Sequence, residues 1–102
     1  MDIIILDGRQ MTDRKTAHAY LKETLGLPRY YGNNLDALFD CLTEMSGVQI
    51  ILTYLQEMSE NLGNYADMLL AVFTEAAEEN PAVLFLPENE IEITEDDEDF
   101  EE

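Results

Sequence analysis

Three short β-branched runs, separated by segments whose apolar residues recur every three or four positions, predict an α/β domain. The runs are Ile3–Leu6, Val48–Tyr54 and Ala82–Leu86. Glycines and prolines fall between the periodic segments, so the chain reads strand, helix pair, strand, helix pair, strand. Strands joined by helical crossovers pair in parallel with right-handed connections. The expectation is a three-stranded parallel sheet packed against about four helices, its strand order left open. At 102 residues the chain makes one domain, large enough to bury about 60 to 65% of the surface its unfolded form exposes.

Each element has a local reason. Ile3-Ile4-Ile5-Leu6 is closed by Asp7-Gly8, and so continuous an apolar strand suits a sheet covered on both faces. Thr12 or Asp13 can cap the first helix. Its apolar positions Ala17, Tyr20, Leu21 and Leu25 keep helical spacing until Gly26 supplies a left-handed stop. A loop follows that carries Tyr30 and Tyr31, turns at Gly32 and enters the second helix with Asn33 or Asn34 as its cap. That helix ends near Gly47. Val48–Tyr54 is the second strand, and residues 55–62 form a short helix ending at Gly63. Ala66–Glu79 is the fourth helix, with Leu69, Val72, Phe73 and Ala76 on one stripe, and Asn80-Pro81 ends it. The third strand is cut by Pro87.

The second helix divides in two on a wheel. Leu35, Leu38, Phe39, Leu42 and Met45 form the face that packs on a core. Asp36, Asp40 and Thr43 form a second stripe, facing solvent just beyond the tyrosine loop. Like charges one turn apart cost an isolated helix roughly 0.2 to 0.5 kcal/mol. An external partner explains the pair better than helix stability does.

Charge points the same way. The chain holds 5 basic and 23 acidic residues, a formal net charge of −18. All five basic residues precede Tyr30, whereas 19 acidic residues and no Lys or Arg follow from there. Such a surface repels nucleic acid and anionic membranes and steers cationic proteins toward itself. Solubility alone is the plainer reading of the same charge. Residues 88–102 hold ten acidic residues and no base; this tail is expected to be disordered, with a short edge strand over 90–94 as the alternative. One cysteine, the absence of a basic leader and no run of membrane-spanning length lead to the expectation of a soluble, cytoplasmic protein.

Catalytic chemistry is poorly provided for. His18 stands alone between two alanines, and reads as a surface or satisfied histidine. Cys41, between Asp40 and Leu42, reads as a small structural thiol. Neither a phosphate loop nor metal-ligand spacing occurs, and Asp36 and Asp40 on an open face have nothing to push their pKa values apart. No cofactor and no metal are expected. A binding surface suits these residues better. Paired loop tyrosines offer large contacts with few rotors to freeze, although at least one is expected to plug the core. A row of carboxylates can stand in for phosphates in a cationic cleft.

The run Leu27-Pro28-x-Tyr30-Tyr31-Gly32-x-Asn34-Leu35-Asp36-Ala37-Leu38-x-Asp40-Cys41-Leu42-Thr43 resembles the barstar family, intracellular inhibitors of barnase-like extracellular ribonucleases. Weaker likeness extends to about Leu86 and includes Val72-Phe73-Thr74-Glu75-Ala76. The resemblance implies a compact two-layer fold over residues 1–87, with residues 88–102 outside it. It also implies a 1:1 complex with a secreted ribonuclease by a chain that is monomeric when free. The contacts it implies are Tyr30, Tyr31, Asn34, Asp36, Phe39, Asp40, Thr43 and Glu75, with Asp40 in the role of an RNA phosphate and Asp36 and Glu75 pairing neighbouring basic groups. Phe39 stands where the family has a tryptophan, and Glu44 and Met45 where it has a glycine and another tryptophan. The rival reading is a polyanionic module that mimics nucleic acid broadly and holds cationic nucleic-acid-binding proteins through its diffuse charge.

Overall fold

A computed structural model describes residues 2–87. Three parallel strands, β1 (Asp2–Asp7), β2 (Val48–Thr53) and β3 (Val83–Pro87), lie in the order β1-β2-β3. A 3₁₀ turn over Gly8–Gln10 follows β1. The helices are α1 (Arg14–Leu25), α2 (Leu35–Glu44), α3 (Leu55–Leu62) and α4 (Asn64–Glu79). This is the compact α/β arrangement expected. Asp13, not Thr12, caps α1 by accepting from the Thr16 N–H at 2.8 Å, and Gly26 ends it in the left-handed conformation at φ 66°. Gly63 is the single residue between α3 and α4, so α4 begins two residues before the expected Ala66. No described helix is long and apolar enough to cross a membrane.

The sheet departs from expectation in its cover. Register places Ile4, Ile50 and Phe85 in one row and Leu6 beside Leu52 in the next. These side chains face the helices, and Phe85 stacks on Phe73 of α4 at 5.0 Å between ring centres. The opposite face carries Ile3, Ile5, Ile51, Leu84 and Leu86, and among the described residues it is open: Ile3 is 62% exposed, Ile5 59% and Leu84 47%. The strand order explains this. Two right-handed crossovers that step in the same direction return their helices to the same face. The all-apolar strands therefore mark a covered face and a bare one, and the expectation of cover on both faces fails here. Pro87 also belongs to β3, opposite Leu52. The expectations for residues 88–102 lie outside the described residues.

The core between sheet and helices includes Leu6, Leu21, Leu38, Leu42, Ile50, Leu52, Met58, Leu69 and Phe73, each at most 1% exposed. Leu38 and Leu42 set the buried side of α2, while Leu35, Phe39 and Met45 pack half-buried around them. The apolar stripe read from the sequence is thus the inner face of α2. Asp36 and Asp40 are left outside.

Candidate functional site

Residues 26–34 form a platform held from below. The Leu27 N–H donates to the Lys22 carbonyl at 2.9 Å, and the Lys22 ammonium reaches the Arg29 carbonyl at 3.3 Å. The Tyr31 N–H closes a turn onto the Pro28 carbonyl at 3.0 Å. Tyr30, at the third position of that turn, is 84% exposed, whereas Tyr31 is 5% exposed. One tyrosine of the pair is therefore the plug and the other the open ring. The loop's left-handed residue is Asn33, at φ 58°, and not Gly32; asparagine tolerates this conformation better than most residues. Asn34 then caps α2, its side-chain oxygen accepting from the Ala37 N–H at 2.8 Å while its amide donates to the Gly32 carbonyl at 3.2 Å.

The plug rests on a buried polar triad. The His18 Nδ1 lies 2.5 Å from the Tyr31 hydroxyl and its Nε2 lies 2.7 Å from that of Tyr65 on α4. His18 is 2% exposed, the satisfied histidine of the two readings. A neutral imidazole has one donor and one acceptor, so one hydroxyl donates to the ring and the other accepts from it. Burial pushes the His18 pKa down and those of both tyrosines up, which favours the neutral form of all three groups. Arg14 lies over the Tyr65 ring, 4.4 Å from its centre. The triad ties the loop to α1 and α4 at once.

On this platform α2 presents its outer stripe. Asp36 and Asp40 are exposed, Thr43 is half-buried, and the Thr43 hydroxyl donates to the Asp40 carbonyl at 2.9 Å. Phe39 is half-buried. Glu75 is exposed on α4, which packs along α2. A recess of about 200 Å³ lies between the tyrosine loop and α2, lined by Tyr30, Tyr31, Asp40, Cys41 and Glu44 among others. Burial, then Glu44 and Asp40, push the Cys41 pKa up, so the thiol stays protonated at the floor of a negative pocket. Glu44 was not among the contacts expected from the sequence. Its signal was present there, since it stands four residues beyond Asp40 and shares its side of the helix.

This arrangement offers an exposed aromatic ring, a recess and a line of carboxylates on a helix whose other face is fixed in the core. Nothing in it activates a nucleophile, and no three His, Cys, Asp or Glu side chains converge to hold a metal among the described residues.

Comparison with known proteins places the chain in a family. A relative in Bacillus subtilis (strain 168), named "Putative ribonuclease inhibitor YrdF", is 45% identical over 78 residues, which is 74% of this chain and 86% of the relative. The sequence model of the family described as Barstar (barnase inhibitor) matches residues 1–94. This chain is a member of the barstar family.

Proposed function

We propose that this chain is an inhibitor and not an enzyme: a cytoplasmic immunity protein that binds a basic, barnase-like secreted ribonuclease one to one and blocks its RNA-binding cleft. Family membership supports the ribonuclease as target. The observation that carries the mode of binding is the recess that exposed Tyr30 lines together with Asp40 and Glu44. In this reading Asp40 takes the place of a phosphate and is paired by the cations that hold RNA, while Asp36 and Glu75 meet basic side chains at the edges. Tyr30 and Phe39 supply apolar contact around the charge. Asn34 and Thr43 are oriented by hydrogen bonds within the chain, Asn34 to Ala37 and Gly32 and Thr43 to the Asp40 carbonyl. Each keeps capacity to meet a partner, Asn34 through its second amide hydrogen and Thr43 through its hydroxyl lone pairs.

Purified protein used as bait in culture medium should retain a small basic ribonuclease in equimolar amount. A mixture of DNA- and RNA-binding proteins released together by moderate salt would favour the diffuse polyanion instead.

Charge should act on the rate of encounter. A chain of −18 meeting a basic enzyme is electrostatically steered, so association should slow as salt rises while dissociation changes less. Stopped-flow mixing across ionic strengths checks this, and an association rate indifferent to salt would contradict it. Removing residues 88–102 should flatten part of that dependence. The shortened chain should still unfold cooperatively at a similar temperature by calorimetry; a molten or insoluble product would place the tail within the folded domain.

A further inference from the structure

The C-terminal end of α2 has one backbone closure of its own, the Met45 N–H on the Leu42 carbonyl at 3.3 Å, and lacks the other usual donors to its last carbonyls. Its C-cap, Met45, is extended and not left-handed, and no basic residue lies in the last turn. Further donation comes from the end of another helix. The Asn80 side-chain amide, at the end of α4, lies 3.2 Å from the Leu42 carbonyl, 3.1 Å from that of Thr43 and 2.7 Å from that of Met45. Its own orientation is fixed, because the Asn80 Oδ1 accepts from the Ala82 N–H at 3.0 Å, the backbone N–H donates to the Ala76 carbonyl, and the backbone carbonyl accepts from Val83. Asn80 is half-buried, with both ends of its amide in use.

We infer that Asn80 is a positioning residue for the binding helix, holding Asp40 in place through Thr43. The connection is continuous. Asn80 bonds the Thr43 carbonyl, and the Thr43 hydroxyl bonds the Asp40 carbonyl. The same amide ties α2 to α4, the helix that carries Glu75, and so fixes the two acidic elements of the proposed surface relative to each other. It also answers a difficulty that Glu44 creates. An acidic residue at the negative end of a helix is unfavourable, and amide donors on the last carbonyls offset that field. Asn80 touches no partner atom in this scheme. It acts through the backbone of α2, and the inference rests on the proposed ribonuclease-binding surface for its effect on affinity.

Two variants separate the clamp from the turn in which Asn80 sits. Asn80→Ala removes both ends of the amide. Asn80→Asp keeps the acceptor for Ala82 but replaces the donor with a carboxylate facing three carbonyls. Hydrogen exchange on the free proteins reads the clamp without any partner. In both variants the amides of Thr43, Glu44 and Met45 should exchange at least tenfold faster, while those of β2 and the middle of α4 keep their wild-type rates. Dissociation from barnase should then quicken about tenfold in both, with association little changed. Uniform acceleration of exchange, or an unaltered last turn of α2, would overturn the inference. So would wild-type behaviour of Asn80→Asp, which would assign the effect to the Ala82 bond. Faster exchange at Thr43–Met45 with unchanged dissociation would show a clamp that does not serve binding. Failure of the unaltered chain to bind any ribonuclease would instead remove the reading of the surface, leaving the exchange pattern to decide the clamp.

Discussion

Replacing Asp40 by alanine should speed dissociation from a barnase-like ribonuclease at least tenfold and leave folding untouched. Asp40 is exposed in the free chain, so its removal exposes no core and breaks no side-chain bond of the fold. On docking the situation inverts. A carboxylate at the edge of a recess, with Tyr30 beside it, is taken out of water together with the cations that meet it. Truncating one member of such a desolvated pair strands the other, at a cost of about 2 to 5 kcal/mol, a general range to which the barnase–barstar pair itself contributes. Neutralising a tail residue such as Asp97 should barely alter the same rate, because a charge outside the contact acts mainly on encounter. Surface plasmon resonance on both variants, with thermal melts as the control for folding, makes the comparison. Equal losses at Asp40 and Asp97 would shift the binding from the α2 stripe to total charge.

The second large effect is expected inside the platform. Changing His18 to leucine leaves the Tyr31 and Tyr65 hydroxyls without the ring that now satisfies both. Each stranded polar group costs about 1 to 3 kcal/mol. A loss of about 2 to 4 kcal/mol lowers the melting temperature by roughly 10 to 20 °C in a domain of this size. The triple variant His18→Leu, Tyr31→Phe and Tyr65→Phe should recover much of this, since removing every partner leaves nothing unpaired. A melting temperature unmoved by His18→Leu alone would show that the triad carries no stability.

Acid should act on the same group. The folded-state pKa of His18 is depressed by burial, so its stabilising contribution is complete above the unfolded value of about 6.5 and is lost as pH falls from there through the folded value. Protonation gives the ring two donors and obliges both tyrosines to accept. Melting temperatures measured downward from pH 7 should fall in the wild type, and this part of the fall should be missing in His18→Leu. Asp7, held low by Arg9, and Asp13, held low by the Thr16 N–H, lose their contributions further down, below the ordinary aspartate value of about 3.9.

Features set by neighbours in the chain were legible in advance. Gly26 acts within four residues of itself and the α2 stripe needs only the helical period, so each can be read from a short window, whereas the caps narrow only to Thr12 or Asp13 and to Asn33 or Asn34 until the structure selects Asp13 and Asn34. The expected turn at Gly32 falls one residue later, at Asn33, which takes the left-handed conformation. What sequence patterns missed depends on distant pairing. His18 finds its partners 13 and 47 residues away, and Asn80 reaches back 38 residues to Leu42. Neither separation leaves a trace in periodicity. The bare face of the sheet was hidden for another reason: an apolar strand looks the same whether one side or both are covered, and strand order decides which.

Titration of barnase with the purified chain, with RNA cleavage as the readout, decides whether the α2 surface blocks a ribonuclease. Cleavage should fall linearly and end at one equivalent, and Asp40→Ala should turn that sharp end point into a gradual curve. Cleavage that persists in excess inhibitor, or an end point unchanged by Asp40→Ala, would contradict the account.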